Sequence, residues 1–136
     1  MYHVSLKLLL KKGDAFLFLK DDVGKYFDLP GGRIDEVEHT TPFTEVIVRE
    51  VGEELGGKIK YKLGKPVFQF RRHLESKGAH IFSTVYEADY VSGEIQLSTE
   101  HSNYRWINPR KVDWKEEDFF DKEEYLAFKK YFDDLL

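Results

Sequence analysis

The chain has 136 residues, 41% of them hydrophobic and 15% aromatic, enough for one domain around a single core and too apolar for a disordered chain. Its formal charge of −4 argues against a nucleic-acid grip built on basic surplus. The lack of cysteine excludes a disulfide framework, a thiolate metal site and a Cys nucleophile. Val4-Ser5-Leu6-Lys7-Leu8 alternates as a half-buried strand does, and Ala15 to Leu19 is a short apolar run after a Lys12-Gly13-Asp14 turn. Together they predict a hairpin. Leu29-Pro30-Gly31-Gly32 predicts a turn or irregular segment, because Pro fixes φ and paired glycines tolerate unusual backbone angles.

A helix is predicted over 42–55. Thr41 suits the N-cap, Pro42 the first helical position and Gly56-Gly57 the stop, with Ile47, Val48, Val51 and Leu55 as the apolar face. Residues 65–74 and 79–90 read as two longer strands joined by Glu75-Ser76-Lys77-Gly78, and a short strand surrounds Tyr104-Arg105-Trp106-Ile107. The last twenty residues are helical in pattern, with Tyr125, Phe128, Phe132 and Leu135 at spacings of three and four. The order predicts one α/β domain over 1–136, a mixed sheet with helices against it. No apolar run is long enough to span a bilayer, and the lysines among residues 1–12 do not suit a signal peptide, so a soluble, cytoplasmic protein is expected.

Charge is unevenly distributed. Residues 32–57 carry two bases and seven acids, whereas residues 58–112 carry ten bases and five acids. Within the acidic block, Glu50, Glu53 and Glu54 fall at i, i+3 and i+4 of the predicted helix, on one side and opposite its apolar face. Like charges at these spacings repel. A hard divalent cation would compensate them, since Mg²⁺ takes oxygen ligands and is commonly held by a few carboxylates plus substrate phosphate. Three glutamates alone are more often a solvated helix face, with Arg49 paired to Glu45 or Glu53.

The Pro-Gly-Gly turn upstream shifts that balance. Gly32-x5-Glu38 followed by Arg49-Glu50-Val51-Gly52-Glu53-Glu54-Leu55-Gly56 resembles the Nudix box of the Nudix hydrolases. Leu29-Pro30-Gly31-Gly32-Arg33 resembles the family's entry into the box, and Glu100 to Ile107 its downstream strand. Two departures stand out. Glu38 to Arg49 encloses ten residues, three more than is usual, which leaves Glu36 or Asp35 as alternatives in the place of Glu38. Gly57 stands where a bulky aliphatic is usual.

The resemblance implies a Nudix-type α/β/α sandwich with a mixed β-sheet and a single Nudix hydrolase domain over 1–136. It implies Mg²⁺ or Mn²⁺ held by Glu50, Glu53 and Glu54, with the Gly31 carbonyl and Glu100 as further ligands. Arg49 would orient the carboxylates, with Glu38 as partner, and Lys20, Arg33, Arg71 and Arg72 are weaker candidates for substrate phosphate. None of the five histidines has metal-ligand spacing; His101 is notable only for following Glu100. Tyr26, Phe27 and Phe70 are expected mainly in the core, with stacking on a base as the lesser alternative. The implied reaction is metal-dependent hydrolysis of a diphosphate bond in a nucleoside diphosphate linked to another moiety, nucleoside triphosphates among the candidates. A small nucleotide is the expected partner, with no membrane and no generic nucleic-acid binding, and a homodimer remains open. The alternative is a non-catalytic nucleotide sensor of the same fold. A diphosphate isomerase of this fold would require a cysteine, which the chain lacks.

Overall fold

The computed structural model of the protein describes residues 1–20 and 25–135. Strand β1 (Tyr2–Lys12) turns at Gly13 into β2 (Ala15–Lys20). The short strands β3 (Phe27–Asp28) and β4 (Gly31–Arg33) follow, then helix α1 (Phe43–Leu55). Strands β5 (Lys60–Leu74) and β6 (Ala79–Ser92) form a long hairpin, β7 (Asn103–Ile107) follows, and helix α2 (Lys122–Leu135) closes the described chain. The sheet order is β3-β2-β1-β6-β5, with β4 also paired to β1 and β7 to β2.

Pairing between β1 and β6 is parallel along ten residues, Tyr2↔His80 to Lys11↔Asp89, whereas every other pair is antiparallel. This is the expected α/β fold with a mixed sheet. One helix lies on each face. Leu6, Leu8 and Leu10 pack with Val46, Ile47, Val51 and Leu55 of α1. Leu9, Phe16 and Phe18 pack with Phe128 and Phe132 of α2. No helix among the described residues is long and apolar enough to cross a membrane.

Four local readings change. β1 is buried continuously from Ser5 to Leu10, not half-buried, because helices cover both faces of a central strand. In α1, Val46 is buried while Val48 is exposed, and Pro42 takes the N-cap position with no side-chain cap from Thr41. In α2, Leu135 is exposed, so Phe128 and Phe132 are the apolar anchors. The Pro-Gly-Gly segment also contributes a strand, because Gly31 to Arg33 pair with Ser5 to Lys7.

The two strands of the first hairpin separate soon after the turn. β1 and β2 pair only at Lys11↔Phe16 and Lys12↔Ala15. Beyond that, β2 pairs with β3 at Leu19 and Lys20, while β1 pairs with β4 at Ser5 to Lys7. The segment from Phe27 to Gly31 therefore crosses the fork between them. The Leu8 amide donates to the Pro30 carbonyl at 2.8 Å and fixes the crossing.

Candidate metal and phosphate site

The site grows from this fork. Gly31 has a φ of +130°, and a Cβ there would meet the Leu6 carbonyl oxygen at 2.1 Å. Only glycine lets the chain run this close to β1 in that conformation. A Cβ on Gly32 would meet Glu50 Oε2 at 2.3 Å. The paired glycines thus let α1 lay its carboxylates against the backbone of β4.

Of the three helix glutamates, Glu50 and Glu54 are not opposite the apolar face. Each follows a core residue by three positions, Ile47 and Val51, and so sits on the flank that turns toward the sheet. Glu54 is 8% exposed and accepts from the Gly31 amide at 3.3 Å. Burial raises its pKa to about 7, with the Lys7 charge opposing. Burial also raises Glu50, against the pull of Arg49. Glu53 alone points largely to solvent.

The loop after β6 delivers Glu100. The Gln96 amide donates to the Leu55 carbonyl at 2.8 Å and the Ser98 amide to the Glu54 carbonyl at 3.1 Å. This caps the open end of α1 and carries the chain past Glu54. Glu54, Glu100 and His101 can each offer one ligand atom, and these atoms lie within 4.8 Å of one another. Two carboxylates and an imidazole with an orphaned Nδ1, buried without a partner among the described residues, suit a divalent cation. Oxygen-rich, partly solvated sets of this kind favour Mg²⁺ or Mn²⁺.

Arg49 organises the outer edge. Its Nε donates to Glu38 Oε2 at 2.8 Å, its Nη1 lies 2.8 Å from Glu50 Oε1, and Glu53 and Asp35 lie at 3.3 and 3.6 Å. Glu38 sits on a 3₁₀ turn over Glu36–Glu38, and its Oε1 accepts from the Asp35 amide at 2.9 Å. The longer loop therefore still presents Glu38 to Arg49, with Asp35 as a more distant partner.

Behind the carboxylates lies a buried set of charges that the sequence reading did not assemble. Asp28 Oδ1 receives Lys7 Nζ at 3.3 Å, Arg72 Nη2 at 3.0 Å and the Leu29 amide at 2.8 Å. Arg72 also reaches Glu124 of α2 at 2.6 Å, and His101 Nε2 stands 3.7 Å from Asp28 Oδ2. Burial opposes the charge on Asp28, but Lys7 and Arg72 outweigh it and hold the carboxyl well below its usual range. The Asp28 carboxylate in turn raises His101. A lysine inside the run Leu6-Lys7-Leu8-Leu9-Leu10 was the available signal, since a charge in a central strand must find a buried partner.

The four basic candidates for phosphate separate. Arg72 is fully occupied by Asp28 and Glu124, and its guanidinium packs 5.2 Å from the Phe120 ring and 5.4 Å from Tyr26. Arg71 is held by Glu123. Lys20 Nζ lies 5.0 Å over Phe27. Arg33 is exposed, with its carbonyl accepting from Arg49 at 3.3 Å. Phe27 and Phe70 are core residues, as expected.

Against known proteins, the NUDIX domain family matches residues 1–128. No curated protein sequence matches the chain. Among solved structures, the MutT protein of Methanosarcina mazei is similar at 22% identity and a TM-score of 0.76, covering 98% of this chain and 95% of that one. The ORF135 protein of E. coli follows at 19% identity and a TM-score of 0.70, covering 98% and 90%. An ADP-ribose pyrophosphatase from Streptococcus suis is similar at 16% identity and a TM-score of 0.63, covering 91% and 86%. At these identities the likeness to each structure is one of fold.

Proposed function

The chain belongs to the Nudix hydrolase family, and from that premise we infer that it hydrolyses a diphosphate bond in a nucleoside diphosphate linked to another moiety, nucleoside triphosphates included. The observation that carries the reading is the convergence of Glu54, Glu100 and His101 within 4.8 Å, beside Glu50 and the Gly31-Gly32 backbone.

Glu50, Glu53, Glu54 and Glu100 are the proposed cation ligands, with His101 and the Gly31 carbonyl beside them. Mg²⁺ or Mn²⁺ bound there would neutralise substrate phosphate and polarise the bond to be cleaved. The protein's own groups supply the rest. Arg49 holds Glu50 through the 2.8 Å contact, so the carboxylate meets the substrate in one orientation. The Gly31 amide does the same for Glu54. A carboxylate of this group takes the proton of the attacking water. Arg33, the exposed base next to the glycines, is the favoured phosphate contact of the four candidates, because Arg71 and Arg72 are already paired.

Retention of Glu38 on Arg49 favours catalysis over a sensor that only binds, since the altered loop spacing was the one feature that had supported the sensor. The test is a nucleotide panel assayed with and without Mg²⁺. We expect metal-dependent release of a mononucleotide, with Glu50→Gln and Glu54→Gln each removing nearly all of it. Saturable binding with no turnover across the panel would replace the enzyme reading with the sensor.

A further inference from the structure

His101 stands apart from the other histidines of the chain. Its side chain is 10% exposed, with Nε2 at 3.7 Å from Asp28 Oδ2 and Nδ1 buried without a hydrogen-bond partner among the described residues. A buried polar atom left unpaired is costly, and native chains rarely keep one that no ligand or water completes. The imidazole is also aimed at the carboxylates. One ligand atom from each of Glu54, Glu100 and His101 lies within 4.8 Å of the other two. Glu100 sits in a turn, so it and His101 converge where neighbours in a strand would alternate sides.

We propose that His101 binds the cation of the carboxylate site directly through its imidazole, so that the site mixes nitrogen with oxygen and prefers Mn²⁺ to Mg²⁺. This rests on the reading of the glutamates as cation ligands and adds a ligand of another kind to them.

The added nitrogen separates two ions that the carboxylates alone would treat alike. Mg²⁺ is hard, takes oxygen ligands and gives up its waters reluctantly. Mn²⁺ shares the liking for carboxylates but belongs to the first-row transition series, whose members also accept imidazole. Exchange of a bound water for His101 therefore favours Mn²⁺. Asp28 supports the tautomer that this requires. Its Oδ1 takes Lys7, Arg72 and the Leu29 amide, which leaves Oδ2 to face the imidazole. A carboxylate on that side favours the proton at Nε2 and leaves the lone pair on Nδ1, the usual arrangement behind a ligating histidine. Nδ1 is then both unpaired and able to coordinate.

The experiment is titration of the untagged, chelator-treated chain with Mn²⁺, followed by electron paramagnetic resonance, with spin-echo modulation to detect nitrogen on the bound ion, and then displacement by Mg²⁺. Modulation from a single imidazole is expected, absent in His101→Gln and kept in His3→Gln. His101→Gln should weaken Mn²⁺ by about tenfold or more and Mg²⁺ by about threefold or less, so the preference shrinks. Bound Mn²⁺ without imidazole modulation in the parent, modulation that survives His101→Gln, or equal loss of both ions would overturn the assignment. Glu54→Gln separates this inference from the reading beneath it. Mn²⁺ that binds the parent without nitrogen and is lost in Glu54→Gln overturns the histidine ligand and leaves the carboxylate site standing; a parent that binds no Mn²⁺ overturns both. If His101→Gln does not fold, isotopic nitrogen labelling of histidine in the parent decides: an altered modulation supports the ligand, and an unaltered one overturns it.

Discussion

Arg49 and Arg72 each gather carboxylates, but in opposite surroundings. Arg49 lies at the rim of the candidate metal site with its side chain 30% exposed, facing Asp35, Glu38, Glu50 and Glu53. Arg72 is 10% exposed and binds Asp28 and Glu124 beneath the same site. Water reaches Arg49, Asp35 and Glu53, so those pairs contribute little to stability, and the arrangement chiefly fixes where Glu38 and Glu50 point. Nothing screens the second. There the charges must be matched, because an unpaired buried ion is far costlier than an unmade surface pair. Similar chemistry thus orients functional groups at the rim and ties α2 to the sheet below it.

The sharpest way to break this contrast is Arg72→Met. It strands Glu124 in the core, and an unfolding free energy lower by about 3–5 kcal/mol is expected from denaturant titration. Adding Glu124→Leu should recover most of that loss, since an apolar pair can replace a buried ion pair. A single variant as stable as the parent would mean that Arg72 is not a buried hub.

Glu54 tests the border between the two environments. Its folded pKa of about 7 lies above the ordinary glutamate value of 4.5 because burial disfavours the carboxylate. The folded state therefore binds the proton more tightly than the unfolded chain does. The resulting stabilisation is complete below pH ~4.5 and is lost as pH rises through ~7, on the order of 3 kcal/mol. Metal-free protein should show this decline relative to Glu54→Gln, and Mg²⁺ should reduce it; identical pH profiles would count against a buried Glu54.

Smaller effects are expected at the rim. Arg49→Lys keeps the charge but loses the fork that spans Glu38 and Glu50, so kcat should fall about tenfold, or ~1.4 kcal/mol of barrier. Its melting temperature should stay within about 4 °C of the parent, and Glu38→Gln should shift kcat less, in the same direction. Least of all, Arg71→Ala should leave turnover unchanged, because Arg71 is committed to Glu123; a raised KM would return it to the phosphate contacts.

Legibility followed the range of the interactions. Ala15 to Leu19, the β5–β6 hairpin and α1 were readable because apolar period, turn residues and helix stops act over a few positions. Glu50, Glu53 and Glu54 were readable as a set for the same reason, since helical spacing alone brings them to one side. Their separate roles were not. Whether Glu54 is buried and Glu53 solvated depends on how α1 rolls against β1 and β4. The meeting of His101 with Glu54 was equally hidden, because the loop after β6 reaches α1 only in the folded chain.

The sequence by itself determined the fold class, the helix that carries the glutamates and the glycines that let it approach the sheet, all consequences of local backbone preference and periodicity. Tertiary structure alone decided the rest. The parallel pairing of β1 with β6 and the fork between β1 and β2 bring Lys7, Asp28, Arg72, His101 and Glu124 together from five separate segments. Burial then sets their charges and that of Glu54, because desolvation depends on what packs around a group and not on its neighbours in the chain.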